Sequence, residues 1–510
     1  MTDSADEAGT AGRTIMRGAQ ATALGFAIRF AARLLFLFIA GRLYGAHLFG
    51  AYVLATAMVE LAVAAGSLGT KKTLFPLLDQ AAQQSSRPVA HLVLDAALLV
   101  TTASLLLAGL FMLAALLLPA RLLPPEAAAA LLAMAPMIAG QGLLDLFLAA
   151  ARWRQKVRYE VIGRSLIEPY ALAAGAAAGF WLGLGPWGLP LGYWCGTLAA
   201  LAYAIGGAGR SYGGFALAGY RPSGAGLRAV AAAAPANSAV DLFSALYARV
   251  DLYLVGALLG AGPTGIYGMA RQVTTPIRQV RQSFDGLLVP AVARTIGLRG
   301  AGGSGEALAS ATRLILVIQL SILVLLLAIG SRLMSWLGQG FEIGYWALVI
   351  LAAAEVLQSA LGIGDLVFVY LRPRIGLYLT LASIALGIVT ALLLIPRLGI
   401  TGAAFALLAA YALRTVLRSL VLRRSFALAV PHAHLAGPFA AAAAGAVAVL
   451  VIPNAWAAAA AGLALYAATL LVWLRMTGQR LSLTGFAVEQ AATLDKAAPA
   501  DASFRFEEGD

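Results

Sequence analysis

From residue 20 to residue 474 the chain is a nearly unbroken series of apolar runs, each about twenty residues long, divided by short polar connections. A run of that length crosses a hydrocarbon layer of about 30 Å as a helix. Every backbone amide and carbonyl in lipid must be satisfied internally, which leaves helices or closed barrels. The alternation of a barrel strand is absent, so the expected fold class is an all-α polytopic membrane protein. Charge agrees: 12% of the chain is charged and 61% hydrophobic, about half the charge share of a typical soluble protein.

The runs place about fourteen transmembrane helices at roughly 20–43, 50–73, 91–118, 127–150, 164–184, 187–208, 229–259, 264–289, 312–337, 345–370, 375–396, 400–421, 437–453 and 455–474. Basic residues test the count. One set of connections holds Lys71, Lys72 and Arg87, then Arg152, Arg154, Lys156 and Arg158, then Arg210, Arg221 and Arg228, and later Arg294, Arg299, Arg372, Arg374, Arg423 and Arg424. The alternate set holds only Arg42, Arg121, Arg332 and Arg397. The rule that cytoplasmic loops are enriched in Lys and Arg puts both termini in the cytoplasm. The formal charge of +13 is spread along the chain, a topology signal and not a nucleic-acid patch. Cys195 is the single cysteine, so no internal disulfide framework exists. No cleavable signal peptide is expected, because the first apolar run is of full length and contains Arg29 and Arg33.

A repeat at a spacing of about 215 residues divides the chain. "LYGAHLFGAY" (43–52) matches "LLGAGPTGIY" (258–267), pairing Gly45, Ala46, Gly50 and Tyr52 with Gly260, Ala261, Gly265 and Tyr267. "DLFLAAARWR" (145–154) matches "DLVFVYLRPR" (365–374), and "GPWG" (185–188) matches "GITG" (399–402). An even number of helices per unit gives both copies one orientation, with an axis along the membrane normal and a cavity between them. The expected organisation is a cytoplasmic tail (1–19), an N-lobe of helices 1 to 6 (20–208), a cytoplasmic inter-lobe linker (209–228), a C-lobe of helices 7 to 12 (229–425), two additional helices (437–474) and a second cytoplasmic tail (475–510). The two lobes are thus pseudo-symmetric six-helix units around a central cavity.

Charge inside the spans points to a site. In "ARQVTTPIRQVRQSFDG" (270–286), Arg271, Arg278, Arg281 and Asp285 are spaced to share one helix face. Arg29 and Arg33 form an i, i+4 pair on the first helix. An arginine facing lipid at mid-depth costs on the order of 3 kcal/mol, so all five are expected to face a wet interior. Two readings stand. The arginines form structural ion pairs with Asp241, Asp251, Asp285 or Glu60, or they hold an anionic substrate, since a guanidinium fork matches phosphate oxygens. Arg249 and Asp251, two residues apart, read as structural. Asp145 and Asp365, each seven residues before an arginine, read as helix-end charges beside basic loops or as a cytoplasmic gate. Glu60, Asp241 and Glu355 are candidates for proton or cation coupling, or structural groups. Pro136, Pro169, Pro235 and Pro276 predict bends within spans.

Other motifs carry no chemistry. "GAGPTG" (260–265) fits a dinucleotide pattern but lies in a short outer turn. "GSLGTKK" (66–72) fails the spacing of a phosphate loop. His432 and His434 lack further ligands for a metal. No catalytic constellation is present in the sequence, no cofactor is called for, and no enzyme activity is expected.

"GRLYGAHLFGAYVLA", its echo "GALLGAGPTGIYGMARQV" and "LGITGAAFALLAAYALR" resemble the polysaccharide and oligosaccharide (O-antigen type) flippases of the multidrug/oligosaccharidyl-lipid/polysaccharide (MOP) superfamily. The resemblance implies two lobes in a V, alternating access, and movement of an undecaprenyl-diphosphate-linked oligosaccharide to the outer leaflet for surface polysaccharide synthesis. It implies partners as well: the polyprenyl-diphosphate-linked glycan, membrane lipids, a coupling proton or sodium ion, and polysaccharide biosynthesis enzymes, with no nucleic acid. On that reading the diphosphate docks on Arg29, Arg33, Arg278 and Arg281, with Arg271 nearer the outer end, and Arg152, Arg154, Arg372 and Arg374 recruit the head group at the cytoplasmic mouth. The alternatives are an ion-coupled multidrug/cation antiporter of the same superfamily, whose cavity would favour acids, and a membrane-embedded polysaccharide polymerase or glycosyltransferase, which would want a large outer loop.

Overall fold

The computed structural model describes residues 28–84, 88–120, 122–215, 219–282, 305–359, 373–426 and 433–478. Among them there is no strand. The first half contains α1 (28–44), α2 (Gly45–Gly66), α3 (Thr70–Gln84), α4 (Val89–Leu117), α5 (Pro125–Met134), α6 (Met137–Trp153), α7 (158–181) and α8 (Gly188–Ser211). The second contains α9 (Gly224–Leu259), α10 (Ala261–Val273), α11 (275–282), α12 (Gly305–Leu337), α13 (Tyr345–Ser359), α14 (Pro373–Leu398), α15 (Ile400–Phe426), α16 (Ala433–Val451) and α17 (Ala455–Thr477).

Nine helical stretches among the described residues are long and apolar enough to cross a bilayer, and the bent pair α5–α6 would make a tenth. One stretch, Ile28–Gln83, runs for 56 residues. At 1.5 Å per residue it would far exceed a bilayer if straight. It is divided at Gly45, whose φ of +73° only glycine adopts without strain. Its repeat partner Gly260 turns the chain in the same way, with φ of +84°, between α9 and α10.

Of the four prolines expected to bend spans, Pro235 lies inside the uninterrupted helix α9, and the other three sit at or beside irregular turns, as a proline removes an amide donor. Pro136 separates α5 from α6 at a bend of 49°. Pro276 follows the break at Thr274 between α10 and α11. In α7, Pro169 follows a π-helical turn, Gly163–Ile167, that carries Arg164. Such wide turns rearrange the hydrogen-bond ladder and re-aim side chains. Two further elements depart from the sequence expectation: residues 261–265, read as part of an outer turn, open α10. The 70–84 segment, read as the end of one span and a basic loop, is the amphipathic helix α3. Leu74 and Leu78, one turn apart, are fully buried, and Lys71 and Lys72 are exposed. The segment is too polar to read as a span, and its apolar stripe is only two residues deep.

Most helices pack within their own half: α7 on α8, α6 on α8 and α4 in one, α14 on α15, α13 on α15 and α12 on α16 and α17 in the other. The halves meet where α2 crosses α10 and α9, and where α3 and α4 meet α9. The α2–α10 crossing is reciprocal. A Cβ at Gly50 would collide with the carbonyl oxygen of Ala261, and a Cβ at Gly265 with that of Ala46. Since 46 and 50 are the sequence-repeat partners of 261 and 265, the two contacts are reciprocal. Small residues allow this approach in a membrane, where packing drives helix association. Gly50→Ala is expected to force α2 and α10 apart and to cost about 1–3 kcal/mol through overpacking. Thermal unfolding of the detergent-solubilised protein measures this; an unchanged midpoint would show that the crossing is not tight.

The outer surface fits lipid. Leu106, Leu116 and Leu117 on α4 are about 70% or more exposed to the surroundings, at 77%, 69% and 73%. Trp181, Trp187, Trp336, Trp346 and Trp456 are exposed at the connections α7–α8, α12–α13 and α16–α17. Tryptophan belongs at such interfaces, where an apolar ring with one polar edge meets head groups.

Candidate functional site

Two adjoining chambers lie between the halves, of about 290 and 330 Å³. Both are lined by Arg29 and Arg33 of α1, Val53 and Glu60 of α2, Arg249 of α9 and Gln272 of α10. The first adds an aromatic wall of Phe36, Phe49, Tyr52 and Tyr193, with Arg164 and Glu168 of α7. The second adds Arg271 of α10 with Thr275, Arg278, Gln279 and Gln282 of α11. The proline breaks make this possible. The break at Thr274 separates the turn carrying Arg271 from the turn carrying Arg278, and the π turn in α7 brings Arg164 to the same wall.

Six arginines therefore line the cavity. Four hold carboxylates. Arg271 pairs with Asp251, with only 8% and 6% of the two side chains exposed. Asp251 also accepts from the Tyr267 hydroxyl at 2.7 Å, and Arg271 donates to the carbonyl of Ala248 at 2.7 Å. Arg278 pairs with the buried Glu355 of α13 at 3.3 Å. Arg249 pairs with Glu60 at 2.6 Å, tying α9 to α2. Arg164 pairs with Glu168 at 2.9 Å and with the buried Asp145. Asp145 also holds Lys71 at 2.9 Å. Gln141 completes that network, accepting from Arg164 at 3.0 Å and donating to Thr197 at 3.0 Å. Among the described residues Arg29 and Arg33 form no direct ion pair; Glu168 and Glu60 act on them only at longer range across the chamber.

Of the residues singled out in the sequence, Arg29, Arg33, Arg271, Arg278 and Glu60 come together around the cavity. Arg281 is not among the residues lining either chamber. Glu355 stands behind the wall as the partner of Arg278, and Asp241 pairs with Lys72 of α3 at 2.7 Å. Asp145 sits inside the first half, in the network with Arg164. Arg152 pairs with Glu160 at 3.2 Å, and Arg154 lies over the rings of Trp153 and Tyr212 at 5.3 and 4.9 Å. Asp285, Asp365, Arg372 and the side chain of Arg374 lie outside the described residues.

Sequence reasoning missed Arg164 and Glu168 as cavity residues and read Arg249 as structural. The available signal was the i, i+4 spacing of Arg164 and Glu168 just before Pro169 in an apolar run, the same spacing that drew attention to Arg29 and Arg33. Among the described residues no group of three or more metal-ligating side chains occurs.

No family model matches the chain, and no curated protein matches it. Solved structures do. The chain is similar to the lipid II flippase MurJ in an inward closed conformation, with a TM-score of 0.74 and 11% identity over 90% of this chain and 99% of that one. It is also similar to an inward-facing multidrug resistance MATE family transporter of the MOP superfamily, with a TM-score of 0.63 and 13% identity over 78% and 97%. An outward-facing structure of such a transporter aligns with a TM-score of 0.52 and 14% identity over 81% and 95%. The chain is a multi-pass α-helical membrane protein with the fold that these flippase and transporter structures share.

Proposed function

We propose that the protein is an alternating-access flippase that carries an undecaprenyl-diphosphate-linked oligosaccharide across a bacterial inner membrane, with two six-helix lobes, about fourteen spans and both termini cytoplasmic. One observation carries the reading. Four of the six cavity arginines are neutralised by carboxylates, and the two that are not, Arg29 and Arg33, stand one turn apart on α1. A diphosphate joining a lipid to a sugar carries one negative charge on each phosphate, so the charge left unpaired among the described cavity residues equals that of the ligand. A half-buried cation without a paired counter-ion is costly, and docking an anion of matched charge relieves both. The guanidinium fork suits phosphate oxygens. The fold likeness to a lipid II flippase supports the same class of cargo.

A cation antiporter needs a carboxylate left free for its cargo. Glu60 and Glu168 face the cavity, but each already holds an arginine. The test is ligand choice by the purified protein in nanodiscs. Undecaprenyl diphosphate is expected to raise the unfolding temperature, with a dependence on salt, and a lipophilic cation to leave it unchanged. Stabilisation by the cation alone would overturn the assignment in favour of the antiporter.

A further inference from the structure

The two chambers differ in chemistry beyond their shared arginines, and the difference bears on the sugar. The first is backed by packed aromatic rings: the half-buried Phe36 lies 5.6 Å from Tyr52, and Tyr52 lies 6.4 Å from the buried Phe49. Thr56 and Tyr193 stand beside them, so apolar faces alternate with hydroxyls. Such a surface suits sugar rings, which present C–H faces and hydroxyl edges together. The two other cations of this chamber are cancelled: Arg249 by Glu60 at 2.6 Å and Arg164 by Glu168 at 2.9 Å.

Resting on the flippase reading above, we propose that this chamber is a subsite for uncharged sugars, and that Glu60 and Glu168 act as a filter against acidic ones. Once a diphosphate has taken up Arg29 and Arg33, no cavity arginine remains without a carboxylate among the described residues. A uronate entering the first chamber would find Arg249 and Arg164 already held by Glu60 and Glu168, with no free guanidinium to receive it. Taking a carboxylate out of water without supplying a cation is strongly disfavoured, and this is how a site rejects a wrong partner. A neutral glycan meets no such opposition and gains stacking and hydroxyl contacts. The two carboxylates are not equivalent. Arg249 has Glu60 alone, whereas Arg164 keeps Asp145 when Glu168 is removed. Glu60→Gln therefore leaves Arg249 without a carboxylate, whereas Glu168→Gln leaves Arg164 sharing Asp145 with Lys71.

The test uses the full chain in nanodiscs with three probes: undecaprenyl diphosphate, the same lipid bearing a neutral oligosaccharide, and the same oligosaccharide with one hexose replaced by a hexuronic acid. The neutral glycolipid is expected to bind at least as tightly as the bare diphosphate, and the acidic one at least about tenfold more weakly than the neutral one. In Glu60→Gln the acidic glycolipid is expected to gain affinity until the gap closes to about threefold or less, with a smaller gain in Glu168→Gln. Equal binding of the two glycolipids to the wild-type protein would overturn the filter and leave the flippase reading standing. Failure of undecaprenyl diphosphate itself to bind would overturn the flippase reading, and the filter with it. The wild-type comparison decides even where a variant fails to fold.

Discussion

Alanine at both Arg29 and Arg33 is expected to abolish glycolipid binding and surface polysaccharide while the protein still inserts and folds. Removing the partner of a desolvated charge costs several kcal/mol, so the double variant should bind the diphosphate roughly 100-fold or more weakly. Folding is expected to survive, because neither side chain holds a carboxylate among the described residues, and removing an unbalanced cation relieves electrostatic strain in the empty cavity. The unfolding temperature without ligand should therefore hold or rise, and the shift caused by undecaprenyl diphosphate should vanish. Retained ligand stabilisation in the double variant would remove the docking role. Lysine at both positions separates charge from geometry: it keeps the cation but loses the planar fork, and partial recovery is the expected result.

Asp251→Ala is expected to act in the opposite sense, on the fold before the function. It leaves the Arg271 guanidinium buried without its carboxylate and removes the acceptor of the Tyr267 hydroxyl. Breaking a buried pair by removing one partner costs roughly 3–5 kcal/mol. The unfolding temperature of the solubilised protein should fall sharply. Replacing both members by apolar residues, as in Asp251→Leu with Arg271→Met, should restore most of it, since an apolar pair of similar volume is often as stable as the buried ion pair. A small loss in Asp251→Ala, or no recovery in the double variant, would show that the pair does not hold α9 to α10. The contrast between the two experiments separates arginines that support the cavity from arginines that await a ligand.

Much of the architecture is legible in the residues. The apolar runs imply helices because lipid offers no partner for a bare amide. The glycines at 45 and 260 mark matched turns, and those at 50 and 265 mark the crossing where the halves touch, because in each place a side chain would be strained or would collide. Helix α3 was not legible: its two buried leucines lie among lysines and glutamines, and only the neighbouring helices make that stripe a core face.

The site divides along the same line. Sequence alone expected Arg29, Arg33, Arg271, Arg278 and Arg281 to face a wet interior, because a charge in a span has nowhere else to go; the first four line the chambers, and Arg281 is not among the lining residues. It could not say which of them are already neutralised. Asp251 lies 20 residues from Arg271, and Glu355 lies 77 residues from Arg278. Those distances along the chain carry no information about contact. Helical periodicity fixes which residues share a face, but which carboxylate meets which guanidinium depends on how separate helices cross, and that is set by packing at Gly50 and Gly265 and by the bends at Pro276 and in α7. The sequence determined that this protein keeps positive charge inside a membrane; only the tertiary structure decided that the charge left over belongs to Arg29 and Arg33, because charge compensation acts through space and not along the chain.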